Sequence, residues 1–279
     1  MKKFIKIFIF ILLLIIILLL YSRFIATKGL VVKEYRVKNS KITDAYHGLK
    51  IVHLSDLHFG STVGEEELSN IVDKVNEIKP DIVVFTGDLI DEKYDKSIII
   101  KYLSLVEAKL GKYAISGNHD IPVEEFNEMI NSSGFINLND TYELIYNNSN
   151  DAIIISGISS NYEDSSKISF KTENFDNYIA NIVPEDKPIY SILLIHEPDF
   201  IDNLNLDNYD LILSGHSHGG QVRLPIIGKI TTPYGSEKYY DEYYKVNNSD
   251  LYISSGIGTS KAKFRLFNRP SINFYRVTK

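Results

Sequence analysis

The stretch LKIVHLSD, residues 49–56, decides the fold class of this 279-residue chain. It is an apolar run of strand length that ends in a polar Ser-Asp pair, which is typical of a buried strand. DIVVFTGD, residues 81–88, repeats the form. Between them, EEELSNIVDKVNEIKP, residues 65–80, carries apolar residues at helical spacing and ends at Pro80. Strand, helix and strand in this order predict a layered α/β fold.

The same alternation continues along the chain. Residues 96–111 are predicted to form a helix, residues 112–120 a strand that runs into a loop, and Pro122 to open another helix. Further strands are predicted at 142–147, 151–158, 190–198, 209–215, 250–256 and 271–277, and the Tyr-rich residues 234–246 are predicted to be an exposed loop or hairpin. Helices therefore belong mainly to the first half, and the second half is rich in strands.

The first 21 residues, MKKFIKIFIFILLLIIILLLY, place lysines ahead of a long apolar run. This pattern predicts a membrane anchor over 1–22, a linker over 23–29 and a globular domain over 30–279. A cleaved signal peptide is the alternative, although a small-x-small cleavage pattern is missing after the run. Basic residues flank both sides of it, and long domains translocate regardless of such charges. We therefore expect a single-pass membrane protein whose domain faces away from the cytoplasm.

Charge is distributed unevenly. Residues 1–50 carry ten Lys and Arg against two Asp and Glu, whereas the rest of the chain carries 20 basic and 34 acidic residues. A nucleic-acid-binding protein needs a basic face, so this acidic body argues against a nucleic-acid partner. Cysteine is absent, which excludes disulfides and thiolate metal sites.

Polar clusters follow five of the predicted strands, at the end of the sheet where open α/β folds place their sites. The clusters are SDLHFG with Asp56 and His58, TGDLID with Asp88, SGNHD with Asn118, His119 and Asp120, LIHEP with His196, and SGHSHGG with His216 and His218. Five of the seven histidines lie there. Residues i and i+2 of an extended chain point to one side, so each Asp-x-His or His-x-His pair could reach one point. His53 instead lies inside a strand, where a packed core histidine is expected.

These side chains offer carboxylate, imidazole and amide donors and no sulfur. That set suits Mn, Fe, Zn, Co or Ni better than Ca or Mg, which prefer oxygen alone. Seven donors exceed what one ion needs, but they match two ions that share a bridging carboxylate. The clusters thus predict a dinuclear metal site.

The order DLH, GDLID, GNHD, H and GHSH resembles the calcineurin-like metallophosphoesterases, over about residues 51–277. GHSHGGQVRLPIIG and GIGTSKAKFRLFNRPSINFYRV resemble a membrane-anchored or exported bacterial branch, in which some members act on phosphodiesters or on the pyrophosphate of a nucleotide-linked lipid. The resemblance implies a four-layer αββα sandwich of two mixed sheets flanked by helices, here preceded by one transmembrane helix.

The resemblance also implies roles for single residues. It assigns the first ion to Asp56, His58 and His218, the second to Asn118, His196 and His216, and the bridge to Asp88. His119 would act as general acid or phosphate-binding donor, and Asp120 would orient its ring. The expected cofactors are two divalent metal ions, Mn²⁺, Fe²⁺/³⁺ or Zn²⁺.

The implied function is hydrolysis of a phosphodiester or pyrophosphate bond by a hydroxide that bridges the two ions. The expected partners are a small phosphoester or a lipid-linked substrate, and the membrane through the N-terminal helix. A phosphomonoesterase on the same fold is the first alternative. The second is a non-catalytic metal-binding scaffold, which the retention of His119 and of every ligand disfavours.

Overall fold

A computed structural model describes residues 1–91, 93–161, 165–182, 189–260 and 262–279. Its helices are α1 Lys2–Phe24, α2 Glu65–Ile78, α3 Lys96–Leu103, α4 Phe126–Ser132 and α5 Glu173–Ile182. Its strands are β1 Val31–Lys38, β2 Leu49–Leu54, β3 Ile82–Phe85, β4 Gly111–Ala114, β5 Ile136–Asn137, β6 Thr141–Tyr146, β7 Ala152–Ile158, β8 Tyr190–Ile195, β9 Leu211–Ser214, β10 Arg223–Leu224, β11 Gly228–Lys229, β12 Tyr243–Val246, β13 Ser249–Ile253 and β14 Ser271–Thr278.

The strands form two six-stranded mixed sheets and one small hairpin. The first sheet has the order β1-β14-β2-β3-β4-β5, in which only the β14–β2 pair is antiparallel. The second has the order β12-β13-β9-β8-β7-β6, with parallel pairing in its centre and an antiparallel strand at each edge. Strands β10 and β11 form the hairpin. In both sheets the central strands are parallel, so their carboxyl ends meet along one edge.

Side-chain alternation explains how the layers stack. In β3, Ile82 and Val84 enter a core shared with residues of the second sheet, whereas Val83 and Phe85 pack with α2, α3 and α4. In the second sheet, Leu193 points away from the shared core toward α5. Because the central strands are buried on both faces, they are apolar throughout. The layers are therefore helices, sheet, sheet and helix, which confirms the predicted fold class.

Some elements differ from the sequence prediction. Helix α3 ends at Leu103 rather than near residue 111. The following chain is drawn into an extended path beside β3, where Leu110 N donates to Asp81 O at 2.7 Å. Strand β1 has alternating charged and apolar residues and was not predicted. Part of the Tyr-rich stretch forms β12, which pairs antiparallel with β13 as a hairpin at the edge of the second sheet, in agreement with the hairpin alternative.

Within the described residues, α1 is the one helix long and apolar enough to cross a membrane. The helix ends at Phe24, inside the predicted linker 23–29. Its last turn touches the domain: Ser22 Oγ donates to Arg265 O at 2.7 Å, and Arg265 N donates to Ser22 O at 3.0 Å.

Candidate metal centre

Five parallel strands deliver the predicted site residues to one place. The side chains follow β2 (Asp56, His58), β3 (Asp88), β4 (Asn118, His119), β8 (His196) and β9 (His216, His218). Backbone hydrogen bonds join neighbouring loops: Asp56 N donates to Gly87 O at 2.9 Å, and His58 N donates to Asp88 O at 3.0 Å. These backbone hydrogen bonds thus hold the neighbouring loops together independently of any ion that their side chains bind.

The local backbone is not the extended chain assumed from the i, i+2 spacing. Five of the candidate ligands have positive φ: Asp56 +52°, His58 +44°, Asp88 +58°, His216 +64° and His218 +48°. Side chains other than glycine seldom adopt this left-handed region, and such strain clusters at functional sites. The sharp turns, rather than alternation along a strand, aim these side chains. They also send His216 and His218 to different donor groups.

The first donor group consists of Asp56, His58 and His218, whose ligand atoms lie within 4.8 Å of one another. His58 Nε2 lies 3.2 Å from His218 Nε2, and His218 Nε2 lies 3.5 Å from Asp56 Oδ1. Asp56 Oδ2 is buried and has no hydrogen-bond partner among the described residues. A buried oxygen of this kind needs a partner, and a divalent cation fits that need.

The second donor group consists of Asn118, His196 and His216. His216 Nδ1 lies 3.1 Å from His196 Nε2, and Asn118 Oδ1 lies 3.2 Å from the same His196 atom. The two histidines also cluster with Asp88 as a candidate metal site. Imidazole, amide and carboxylate donors suit the same borderline metals as the first group.

Asp88 lies between the two groups. One oxygen, Oδ2, is 3.5 Å from His58 Nε2 and 3.4 Å from His196 Nε2. The other, Oδ1, accepts the backbone N–H of His119 at 2.9 Å. The first oxygen therefore faces both donor groups, while the second is held by the loop after β4.

Backbone carbonyls orient the rings of the second group. His196 Nδ1 donates to Thr86 O at 2.6 Å, and His216 Nε2 donates to Tyr234 O at 2.8 Å. In each ring the opposite nitrogen then faces the other donors. Such outer contacts are how proteins set the tautomer of a metal-binding histidine.

The protonation states follow from burial and charge. Burial lowers the pKa of His58 to about 4 and that of His216 to about 3, so both rings stay neutral and keep a lone pair. Burial alone would raise the pKa of Asp88, but the histidines around it, His196 first, hold it well below its usual value. Asp88 is accordingly a carboxylate. Burial alone would lower the pKa of His196, but the negative charge of Asp88 outweighs burial and raises it.

Glycine at position 117 makes the close packing possible. A Cβ on Gly117 would lie 2.3 Å from Asp88 Oδ1 and 2.8 Å from His196 Cε1. These distances are far inside van der Waals contact, and the neighbours are buried side chains that cannot move freely. The loop after β4 can approach Asp88 only without a side chain at this point.

His119 and Asp120 occupy different environments. The half-buried His119 ring packs edge-on against His58, with centroids 4.8 Å apart, and one of its nitrogens lies with His58 and Asp88 in a third candidate cluster. Asp120 is fully buried, and its carboxylate accepts three backbone N–H groups, from Asp88 at 2.7 Å and from Leu89 and Gly117 at 2.9 Å. These contacts fasten the loops after β3 and β4 together. They differ from the expected contact between Asp120 and the His119 ring.

Among the described residues, Arg265 lies beside the site without the pairing to a local acid that its sequence context favours. This fully buried guanidinium donates through Nη2 to Gly258 O at 2.6 Å and to Gly256 O at 3.1 Å, and Nη2 lies 3.5 Å from His218 Nδ1. An arginine on a short segment between apolar residues carries no periodic signal of burial. His53, in contrast, is buried in β2 as predicted.

The chain matches the sequence profile of a known protein family. The profile of the calcineurin-like phosphoesterases matches residues 49–220. These residues include both donor groups and Asp88.

Similar proteins span most of the chain. An uncharacterized metallophosphoesterase of Bacillus subtilis, YkuE, is 30% identical and covers 91% of this chain and 88% of its own length. UDP-2,3-diacylglucosamine pyrophosphatase LpxG of Chlamydia muridarum is 28% identical, covering 82% of this chain and 84% of its own. A zebrafish (Danio rerio) transmembrane protein with a metallophosphoesterase domain is 29% identical, with 91% of this chain covering 60% of that protein.

Proposed function

The chain belongs to the calcineurin-like phosphoesterase family and is a metal-dependent phosphoric ester hydrolase, and from this premise we propose its reaction. It cleaves a phosphodiester or pyrophosphate bond at a dinuclear metal centre. The first donor group would hold one ion, the second donor group would hold the other, and Asp88 would serve both. Mn²⁺, Fe²⁺/³⁺ and Zn²⁺ are the ions that this mixture of imidazole, amide and carboxylate donors favours.

The position of Asp88 carries this proposal. A single carboxylate oxygen lies at nearly equal distance from His58 Nε2 and His196 Nε2, 3.5 and 3.4 Å. An oxygen that serves two donor groups at once is what a bridged pair of ions requires.

The chain's own residues would divide the work. When bound, the two ions would supply an activated water and neutralise charge on the phosphoryl oxygens. His119, at the edge of the site, donates a proton or a hydrogen bond to the departing oxygen. Asp120 acts through the loops that it fastens, since its carboxylate holds Asp88 N and Gly117 N. Asp120 is thus a positioning residue.

The substrate class rests on two supports. The similarity to a UDP-2,3-diacylglucosamine pyrophosphatase favours a diester or pyrophosphate over a monoester. The apolar helix α1, and the similarity to a transmembrane protein, favour attachment to a membrane and hence a lipid-linked substrate. We place the catalytic domain on the extracytoplasmic side, because long domains cross irrespective of flanking charge.

The test compares hydrolysis of bis-p-nitrophenyl phosphate and p-nitrophenyl phosphate by the full chain with added Mn²⁺. We expect diester hydrolysis to dominate and to disappear in Asp88→Asn. The matched control is Asp207→Asn, an exposed acid just before the amino end of β9, which should keep full activity. Preference for the monoester would replace the diester proposal by a phosphomonoesterase. A metal-loaded chain inert on both esters would favour the scaffold alternative.

A further inference from the structure

The membrane helix and the candidate site are linked by one short segment, residues 262–267. On one side, Arg265 N donates to Ser22 O in the last turns of α1 at 3.0 Å. On the other side, Arg223 N in β10 donates to Leu266 O at 2.9 Å. The segment is thus placed between α1 and the β10–β11 hairpin. The hairpin therefore lies beside the point where α1 leaves the domain.

The hairpin exposes large apolar side chains. At its tip Ile226 is fully exposed and Ile227 is 73% exposed, and Ile230 just beyond β11 is also exposed. In the neighbouring segment, Phe267 is 65% exposed. We call these four residues the hairpin patch. Ile226 has φ +71°, a conformation that a β-branched residue rarely adopts. The turn therefore keeps an unfavourable backbone while it presents isoleucine to the outside.

Elsewhere in the described part of the domain, exposed apolar residues such as Leu105, Ile121 and Phe170 are scattered along the sequence. Leu105 follows α3 and lies near the amino ends of the strands, at the opposite edge of the sheets from the site. A scattered exposed leucine needs no explanation, whereas several apolar side chains around one turn mark an interaction surface. The patch lies next to the end of the apolar helix α1, and this location points to the membrane surface as its partner.

Basic residues surround the same exit point. Arg23 lies in the last turn of α1, Lys28 follows it, and the exposed Arg269 donates through Nε to Gly29 O at 3.0 Å. Lys and Arg near the end of a membrane helix place their charged heads at the membrane interface. Exposed apolar side chains close to basic ones are typical of a segment that lies in a membrane interface.

A cavity connects this patch with the metal centre. Its volume is about 560 Å³, and its lining runs from Asp88, His216 and His218 to Val222 and Ile230. Ile230 belongs both to the hairpin patch and to the cavity wall. A molecule that entered from the patch side would therefore meet the donor groups at the inner end.

We propose that the hairpin patch inserts into the surface of the same bilayer that holds α1. The cavity then opens at the headgroup level, and a phosphoester whose apolar part stays in the bilayer reaches the metal centre without leaving the membrane. This inference rests on the proposed function in two respects: α1 spans the bilayer, and the substrate is a phosphoester. It adds where the substrate comes from and which residues admit it.

The absence of cysteine in the natural chain allows a direct test by single labels. Ile227→Cys and Phe267→Cys are each labelled with an environment-sensitive fluorophore in the full chain. The protein is reconstituted into vesicles of phosphatidylcholine and phosphatidylglycerol, with or without nitroxide groups on the acyl chains. Leu105→Cys, 55% exposed, is the matched control. We expect blue-shifted emission and nitroxide quenching at 227 and 267, and neither effect at 105.

The outcomes separate the inference from the proposed function. Emission at 227 and 267 that matches the control at 105 overturns the inference, even if the enzyme is active. A chain that does not float with the vesicles overturns both the anchor and the inference. Quenched labels on a chain that hydrolyses neither p-nitrophenyl ester would support the membrane contact and remove the proposed reaction. The double variant Ile226→Ser/Ile227→Ser should float with the vesicles almost as well as wild type, because α1 remains. It should also hydrolyse soluble bis-p-nitrophenyl phosphate at the wild-type rate, because these two side chains lie outside the cavity.

Discussion

Replacing Asp120 by asparagine should destabilise the protein as well as reduce its activity. One carboxylate oxygen accepts N–H groups from Asp88 and Gly117, at 2.7 and 2.9 Å, and the other accepts Leu89 N–H at 2.9 Å. Asparagine offers one acceptor oxygen and one NH₂ donor. Whichever way its amide turns, at least one buried backbone N–H faces another donor.

The size of the effect follows from these contacts. An unsatisfied buried N–H costs about 1–3 kcal/mol, and replacing a charged acceptor by a neutral one weakens each remaining bond by about 1 kcal/mol. We therefore expect Asp120→Asn to lower the free energy of unfolding by roughly 2–4 kcal/mol. In a domain of this size that corresponds to a Tm lower by roughly 5–15 °C.

Far-UV circular dichroism during urea and thermal unfolding of the full chain in mild detergent measures this change. Burial, and then Asp88, raise the pKa of Asp120 to about 7, so the comparison is made at about pH 8, where the carboxylate is charged. His119→Asn is the control from the same turn. Its half-buried ring should leave stability within about 0.5 kcal/mol of wild type.

A different pattern would refute this reasoning. If Asp120→Asn unfolded like wild type and lost activity to the same extent as His119→Asn, the carboxylate would act on the His119 ring rather than on the loops. The ring-orienting role expected from the family resemblance would then replace the positioning role.

Three further predictions concern proton transfer, pH and metal. His119→Asn should lower kcat about 10²–10⁴-fold while elemental analysis finds the same metal content, and a loss of metal would make His119 a ligand instead. Burial lowers the pKa of His53 to about 3, below the ordinary value of about 6.5. The contribution of neutral His53 to the free energy of unfolding is therefore complete above about pH 6.5 and is lost as the pH falls toward 3. Between about pH 6 and 5 the free energy of unfolding of wild type should fall by about 1 kcal/mol more than that of His53→Gln. Equal changes with pH in the two proteins, measured by urea unfolding, would contradict this. Saturation with Mn²⁺ at about 100 times its Kd should add about 2.7 kcal/mol, so chelation should lower Tm by several degrees, and a Tm unaffected by chelator would argue against bound metal.

The central fold could be predicted from the sequence because its signals are local. The apolar runs of β2 and β3 are long enough to be buried on both faces, and the helix between them has a clean apolar stripe ending before Pro80. The polar residues just beyond these strands are placed together by parallel pairing, which requires no knowledge of the side chains. Composition and order were therefore sufficient to propose candidate donor residues that lie together in the fold.

Other features depend on distant partners and could not be predicted. Strand β1 pairs with β14, so Val31 lies opposite Ser271 across almost the whole length of the chain. Its alternating charges alone are equally compatible with an exposed segment. The positive φ of the candidate ligands and the burial of Arg265 are likewise imposed by tertiary contacts. The i, i+2 argument therefore proposed candidate residues that the structure brings together, but it assumed the wrong backbone conformation.

Anomalous X-ray scattering from crystals of Mn²⁺-replete protein tests the central claim most directly. The account predicts two manganese peaks roughly 3.5–4 Å apart, one at the first donor group and one at the second, with Asp88 Oδ2 between them. A single peak, or none, in protein shown by elemental analysis to have been saturated with manganese would contradict it.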